Sequence, residues 1–198
     1  MHRRSLSALS LASVITLGAL APVPAQAAPE RYVIDTEGAH AFVQFRVKHL
    51  GYSWLYGRFN DFGGTFTYDP EDPSNSAIEV EIETASLDSN HAERDKHLRG
   101  SDFLDVSKYP KATFKSTSYK ETGFDKSVLE GELTLKGITK PITIEVDRIG
   151  NGPDPWGGYR RGFEGRTEFA LKDFGIDYNL GPASRNVEMI LTVEGIRQ

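Results

Sequence analysis

The segment SNHAERDKHLRGSDF, residues 89–103, brings histidines, acids and arginines close together in a chain that is otherwise rich in strand patterns. Such a density is typical of a catalytic or metal site. On a helix, however, His91 and His97 lie about 240° apart around the axis, so they cannot bind one ion from the same face. His40 and His49 would have to arrive from elsewhere to complete a set of ligands. The spacing therefore favours a polar surface helix, and the sequence predicts no metal-binding residues.

Hydrolytic chemistry has no stronger support in the sequence. There is no G-x-S-x-G, no H-E-x-x-H, no phosphate-cradling glycine loop and no cysteine. Asp95 and Asp102 could form a carboxylate pair for glycoside hydrolysis, but 28 acidic residues make such a pair expected by chance. Trp156 with Tyr159 could stack on a sugar, although a loop tryptophan beside glycines more often packs or plugs. We therefore predict no catalytic residues and no cofactor, and we keep a metal-dependent enzyme as the weaker alternative.

Start and stop signals bound the helix in this segment. Asn90 and Glu93 have the spacing of a capping box, and Gly100 follows the last turn, where basic residues are concentrated. The signals predict a helix over about residues 91–99. A helix so short is marginal in water unless it packs against a larger body, here the open end of a barrel. The apolar anchors for that packing are Leu98, Phe103 and Leu104.

Alternation with a period of two residues dominates the rest of the chain. In AIEVEIET, residues 77–84, the isoleucines and valine share one face and the glutamates the other, and AFVQFRVKH, residues 41–49, also alternates. Further alternating runs lie near residues 54–69, 111–119, 128–136, 141–148, 162–171 and 186–195. Eight runs joined mostly by short turns predict an all-β fold, an eight-stranded antiparallel up-and-down barrel with one capping helix. Closure favours the barrel over a two-sheet sandwich because it removes exposed sheet edges.

An eight-stranded barrel has room either for packed side chains or for one small ligand. Glycines interleaved with aromatic residues between Tyr52 and Tyr68 indicate bent strands that open space. The pattern alone is more typical of a filled core than of a ligand cavity, and both remain open at this point. The residues predicted to line the cavity are Val43, Phe45, Val47, Trp54, Tyr56, Ile78, Val80, Ile82, Phe114, Leu133, Phe169, Met189 and Leu191.

The first 27 residues have the features of a secretory signal. Arg3 and Arg4 precede an apolar run over residues 6–20, and Ala25-Gln26-Ala27 is an A-x-A cleavage pattern. The run is shorter than the roughly 20 residues that span a bilayer. We expect cleavage after residue 27, export to the periplasm, and one domain over residues 28–198 with no integral membrane segment. The net charge of −5 argues against nucleic acid or an anionic membrane as a partner. A homodimer is kept as an alternative to a monomer.

Four blocks of the sequence resemble the YceI-like family, over essentially the whole predicted mature chain. The most specific block is SLDSNHAERDKHLRGSDFLDVSKYPKATFKS, and GELTLKGITKPITIEV and KDFGI with VEMILTVEG follow it. The first block comprises His40, Val47, Lys48, His49, Gly51, Gly57 and Phe59. The resemblance implies a lipocalin-like barrel that holds one long isoprenoid or other amphiphilic chain, for example a polyprenyl quinone, for transport, storage or sequestration. It implies no catalytic activity.

The polar end of such a ligand would lie at the mouth of the barrel. His49 ends an inward-facing phase, and the predicted helix caps the open end, so we expect His49, Arg94 and His97 near the ligand's head group. The alternative to lipid binding is a carbohydrate-binding or stress-linked interaction module with a side-chain-filled barrel. An open interior would favour lipid binding, and a side-chain-filled interior would favour the interaction module.

Overall fold

The computed structural model describes residues 28–198 as one antiparallel sheet of eleven strands with one α-helix. The predicted signal lies outside the described residues. No helix within residues 28–198 is long and apolar enough to cross a membrane. The strands are β1 (Glu30–Ile34), β2 (Phe42–His49), β3 (Ser53–Phe59), β4 (Phe62–Tyr68), β5 (Ala77–Glu83), β6 (Leu87–Asp88), β7 (Lys111–Gly123), β8 (Lys126–Leu135), β9 (Ile138–Pro153), β10 (Tyr159–Ala170) and β11 (Asn186–Arg197), and the helix is α1 (Ala92–Arg99).

The sheet closes on itself as an eight-stranded antiparallel barrel, which confirms the predicted fold. The closed ring runs β1-β4-β5-β7-β8-β9-β10-β11, and β11 pairs again with β1. The remaining strands, β2, β3 and β6, continue three strand lines of the ring, those of β1, β4 and β5. The C-terminal residues of β11 pair with β1, and residues 188–192 pair with β2, so β1 and β2 lie along one strand line. β3 continues into β4 and β6 follows β5 in the same way.

Two strand boundaries differ from the sequence-based prediction. The run over residues 54–69 was predicted as one strand, but the chain breaks at Asn60 and Asp61 between β3 and β4. β1 was not predicted, because five residues are too few to establish an alternating pattern. Tyr32 and Ile34 of β1 are nonetheless buried, and β1 joins β4 to β11 to complete the ring.

The helix lies where the sequence predicted it, but its caps differ. The N-cap is His91, whose Nδ1 accepts the backbone N–H of Arg94 at 3.2 Å. Asn90 instead adopts a positive φ of 63°, a conformation that asparagine tolerates, so the predicted capping box with Glu93 is wrong. Gly100 ends the helix with a φ of −74° rather than in the left-handed conformation of a C′ glycine.

An ion-pair network fixes the loop between β1 and β2 to the outside of the barrel. Arg160 Nη1 donates to Asp35 Oδ2 at 2.5 Å and to Glu194 Oε1 at 2.6 Å, and its Nε donates to Asp154 Oδ2 at 3.0 Å. His40 Nδ1 lies 3.0 Å from Asp35 Oδ2. The hydrogen bonds of His40 and Arg160 lower the pKa of the buried Asp35 carboxyl to about 2. Asp35 is therefore ionised in the folded protein at neutral pH.

Asp35→Asn is expected to lower the free energy of unfolding at pH 7 by about 1–3 kcal/mol, because it replaces a charged acceptor in a buried network. The folded pKa of about 2 lies below the value of about 3.9 for an unfolded aspartate. The carboxylate's contribution is therefore present above about pH 4 and is lost as the pH falls towards 2. Urea denaturation of both proteins between pH 7 and pH 2.5 should show their difference shrinking over that window. A difference that stays constant with pH contradicts the assignment.

Candidate functional site

The interior of the barrel is a cavity of about 990 Å³. This volume lies at the upper end of the range of about 300–1,000 Å³ for small-molecule sites. Its wall is made of the inward-facing residues of the alternating strands, mostly valine, isoleucine, leucine and phenylalanine. Its charged side chains, together with its two histidines, come from residues 48–49 and 93–97, at one end of the barrel. The barrel is therefore an apolar container with a polar mouth.

Glycines in the wall leave room for aromatic rings to pack directly over the neighbouring strand. A Cβ atom at Gly57 would collide with the ring of Phe45, and one at Gly131 would collide with the ring of Phe114. Gly57 is the direct cross-strand partner of Phe45, so the missing side chain leaves the ring a place on the wall. Rings held in this way do not project into the middle of the barrel. The glycines thus contribute to the empty volume.

The structure places eleven of the thirteen residues predicted to line the cavity at its wall. They are Val43, Phe45, Val47, Ile78, Val80, Ile82, Phe114, Leu133, Phe169, Met189 and Leu191. Leu55 and Phe59 of β3, which the prediction missed, also lie there. Period-two alternation thus identified most of the wall residues that the sequence predicted.

The prediction that Trp54 and Tyr56 line the cavity is wrong. Directly paired residues of neighbouring strands share a face, and inward-facing Val47 pairs with Leu55. The alternate residues Trp54 and Tyr56 therefore lie on the outer face, where 40% and 53% of their surfaces are exposed. The register with β2 predicts the inward face of β3 better than aromatic character does, and it could have identified Leu55 as a wall residue.

A polar cluster lies at the end of the barrel opposite the mouth. We call it the polar floor and define it by Glu30, Tyr32, Tyr68 and Arg161. Arg161 is only 5% exposed, and its Nη2 donates to Glu30 Oε2 at 3.2 Å. Its Nε donates to Tyr32 Oη at 3.2 Å, and its guanidinium carbon lies 3.8 Å from the centre of the Tyr68 ring. Tyr68 also lines the cavity, so the floor borders the apolar space directly.

Burial and hydrogen bonding act in opposite directions on the floor's acid. Burial tends to raise the pKa of Glu30, but hydrogen bonds from Tyr32, Arg197 and Arg161 outweigh it and lower that pKa. Burial also raises the pKa of Tyr32, which donates to Glu30 Oε2 at 2.6 Å. Glu30 and Arg161 therefore face each other as an ion pair at neutral pH.

The three predicted mouth residues, His49, Arg94 and His97, all border the cavity. The guanidinium of Arg94 is engaged in holding the helix, since its Nε donates to Ser89 Oγ at 2.7 Å and its Nη2 to Ser89 O at 2.5 Å. Asp95, which is buried, accepts the Ser89 backbone N–H at 2.9 Å. These contacts tie α1 to Ser89, the residue that follows β6.

The His97 ring lies edge-on to two aromatic rings beside the mouth. Its centroid is 5.0 Å from that of Phe103 and 5.1 Å from that of Tyr178. Its Nε2 is 3.2 Å from Asp102 Oδ2 at the surface. His97 therefore combines an apolar contact with a polar edge at the mouth, and contact of His49 or His97 with a ligand head group stays a prediction.

Within residues 28–198, Asp35, His40 and Glu194 place possible metal-ligand atoms within 4.8 Å of one another. They lie on the outside of the barrel, away from the cavity. Arg160 already donates to both carboxylates, so this group is accounted for as an ion-pair network. It offers no support for a metal-dependent enzyme.

Comparisons with known proteins find similar sequences over the full chain. The model of the YceI-like domain matches residues 32–195. A UPF0312 protein of Pseudomonas aeruginosa strain LESB58 is 58% identical over 199 residues and 100% of both chains. A UPF0312 protein of Shewanella putrefaciens strain CN-32 is 56% identical over 95% of this chain and 97% of its own.

Solved structures share the fold. A Campylobacter jejuni YceI protein superposes with a TM-score of 0.70 at 27% identity, over 77% of this chain and 90% of its own. BcnA of Burkholderia cenocepacia gives 0.71 at 22% identity, over 81% and 98%. A polyisoprenoid binding domain from Saccharophagus degradans, implicated in plant cell wall breakdown, gives 0.61 at 13% identity, over 84% and 98%.

Arg161→Met is expected to lower the free energy of unfolding by about 3 kcal/mol, because it leaves the Glu30 carboxylate without its buried partner. Arg197→Met is the matched control. Arg197 also donates to Glu30, at 2.8 Å, but it is exposed, and its loss should cost about 1 kcal/mol or less. Adding Glu30→Gln to Arg161→Met should restore part of the loss. Chemical denaturation measures the free energy of unfolding of all three variants. Equal losses for Arg161→Met and Arg197→Met would contradict a stabilising role of the buried pair of Arg161 with Glu30.

Proposed function

The chain belongs to the YceI-like domain family, and from that premise we propose that it is an exported, non-catalytic protein that holds a long isoprenoid or similar amphiphilic chain in its barrel. The observation that carries the proposal is the continuous apolar cavity with a polar mouth at one end. Such a shape fits a molecule with a long apolar tail and a small polar head, for example a polyprenyl quinone.

Burial of apolar surface provides the binding free energy. Each Å² of tail removed from water contributes about 25 cal/mol before the cost of ordering the chain. A wall of aliphatic and aromatic side chains demands no polar partners from the ligand along most of its length. Branched isoprenoid chains and plain acyl chains both meet this condition, so the geometry favours a class of ligand rather than one compound.

The two ends of the cavity give the ligand a direction. The polar floor fills one end with groups that already satisfy one another, so the tail would end against the rings of Phe66 and Tyr68. The head would stay at the mouth, within reach of the imidazoles of His49 and His97. Arg94 would act mainly by holding α1, because its guanidinium is bonded to Ser89.

A carbohydrate-binding module with a filled barrel is less well supported. The interior is open, and a guanidinium lies beside each of the two rings, Trp156 and Tyr159. The guanidinium of Arg160 lies 5.2 Å from the Trp156 ring centre, and that of Arg197 lies 4.3 Å from the Tyr159 ring centre. The fold likeness to a polyisoprenoid binding domain is in keeping with the lipid-binding proposal.

Export gives this function its setting. We propose that residues 1–27 direct the chain to the periplasm, where a nearly insoluble chain needs a carrier or a store to cross or remain in water. A barrel that encloses the tail would serve either role.

Organic extraction and mass spectrometry of freshly purified protein should find a hydrophobic amphiphile at about one per barrel. The test variant is Val80→Trp, which places a large side chain on the cavity wall and should reduce the co-purifying ligand severalfold, because the volume is already occupied. Native mass spectrometry measures the bound fraction directly.

The matched control is Glu79→Trp, one residue away on the outer face of β5, where Glu79 makes an exposed ion pair with Lys115. It should retain the ligand. A wild-type protein without any stoichiometric hydrophobe, or equal retention by the two variants, would overturn the proposal.

A further inference from the structure

Four large apolar side chains surround the turn between β2 and β3, at the mouth end of the barrel. We call them the aromatic rim: Leu50, Tyr52, Trp54 and Tyr56. Tyr52 is 88% exposed and Leu50 is 58% exposed. Leu50 also borders the cavity, so the rim is continuous with the apolar interior. Exposed apolar groups that cluster in this way usually mark a contact surface.

Leu50 occupies a backbone conformation that does not suit leucine. It has a φ of 53° and Gly51 a φ of 86°, while the Tyr52 N–H donates to His49 O at 2.9 Å. Two central residues with positive φ are the pattern of a type I′ turn, which favours asparagine at the first position. A branched side chain is unfavourable there and is also exposed to water. An exposed leucine in an unfavourable backbone conformation is the kind of local strain that a binding role would account for.

The aromatic residues of the rim are of the kind that sits between water and hydrocarbon. Tyrosine and tryptophan carry an apolar body with a polar edge and are enriched at membrane interfaces. The guanidinium carbon of Arg46 lies 4.2 Å from the Trp54 ring centre, and Glu188 binds that guanidinium at 2.8 and 2.9 Å. Glu188 thus pairs with the Arg46 cation, and a second cation, Lys48 Nζ, lies 5.4 Å from the same ring centre.

The wall of the barrel is interrupted beside the rim. In the described part of the chain, β6 pairs with β3 only at Arg58 and Phe59. Residues 53–57 of β3 have no strand partner on the side away from β2. Leu55 of this stretch borders the cavity together with His97 and Leu98 of α1. The apolar chain of a ligand could pass between β3 and α1 without breaking backbone hydrogen bonds of the sheet.

We propose that the aromatic rim rests on the surface of a lipid bilayer of low net charge, so that the ligand passes between bilayer and cavity without crossing water. This rests on the proposed lipid-binding function. The chain's net charge of −5 gives no general attraction to anionic lipids, and the rim itself carries apolar and aromatic groups. Insertion of apolar side chains therefore drives the contact, with little dependence on salt.

Flotation of the full mature protein with phosphatidylcholine–phosphatidylethanolamine vesicles tests the proposal. The wild type should float with the vesicles at both low and high salt. Leu50→Asn should weaken partitioning about tenfold, the effect of removing one leucine from an apolar contact. Its thermal midpoint should be unchanged or higher, since asparagine suits the turn. Tyr52→Ser combined with it should weaken partitioning further.

Phe124→Ser is the matched control. Phe124 is 91% exposed in the turn between β7 and β8, at the end where the polar floor lies, so its removal should leave flotation unchanged. No flotation of the wild type, or an equal loss in Leu50→Asn and Phe124→Ser, would overturn the proposal. So would rim variants that change the mass of the free protein in sedimentation equilibrium, which would make the rim an interface between copies.

Extracted ligand is measured on the same samples to separate the two proposals. Stoichiometric ligand without flotation overturns the membrane contact alone. Flotation that depends on the rim, but without ligand, supports the surface and overturns the proposed cargo.

Discussion

Aromatic rings pack directly over glycines of neighbouring strands, and the cavity inside the barrel depends on this packing. Phe45 covers Gly57 and Phe114 covers Gly131, so their rings stay against the wall. A methyl group at either glycine would push the ring towards the axis. The same inward-facing sequence could otherwise fill an eight-stranded barrel, whose interior is narrow enough for side chains alone. Glycines beside phenylalanines therefore leave a cavity where a filled core would otherwise form.

The two ends of the container differ, and the difference gives the cavity a direction. At one end, Arg161, Glu30 and Tyr32 satisfy one another in a network of hydrogen bonds. At the other, the short helix α1 borders the cavity, and its Arg94 and Asp95 tie it to Ser89 at the end of β6. An apolar cavity with a polar mouth at one end, and at the other a cluster whose polar groups satisfy one another, suits a long molecule that has one polar end.

Much of this architecture follows from the sequence, and the exceptions have physical causes. Alternation predicted the eight strand lines and most of the wall, because each strand has one buried face. The prediction failed at Trp54 and Tyr56 because it was based on their aromatic character. The register of β3 with β2 places both residues on the outer face. The polar floor was not predicted, since its residues come from β1, β4 and β10 and meet only when the barrel closes. Whether the interior is open depends on ring orientation, which a pattern does not encode.

We infer that the barrel binds an apolar chain by enclosing it. Thermal unfolding of delipidated protein with prenyl alcohols of increasing length measures this enclosure. The midpoint is expected to rise with each added isoprene unit, because more apolar area is buried, and to level off once the cavity of about 990 Å³ is full. A midpoint that does not depend on chain length would contradict it.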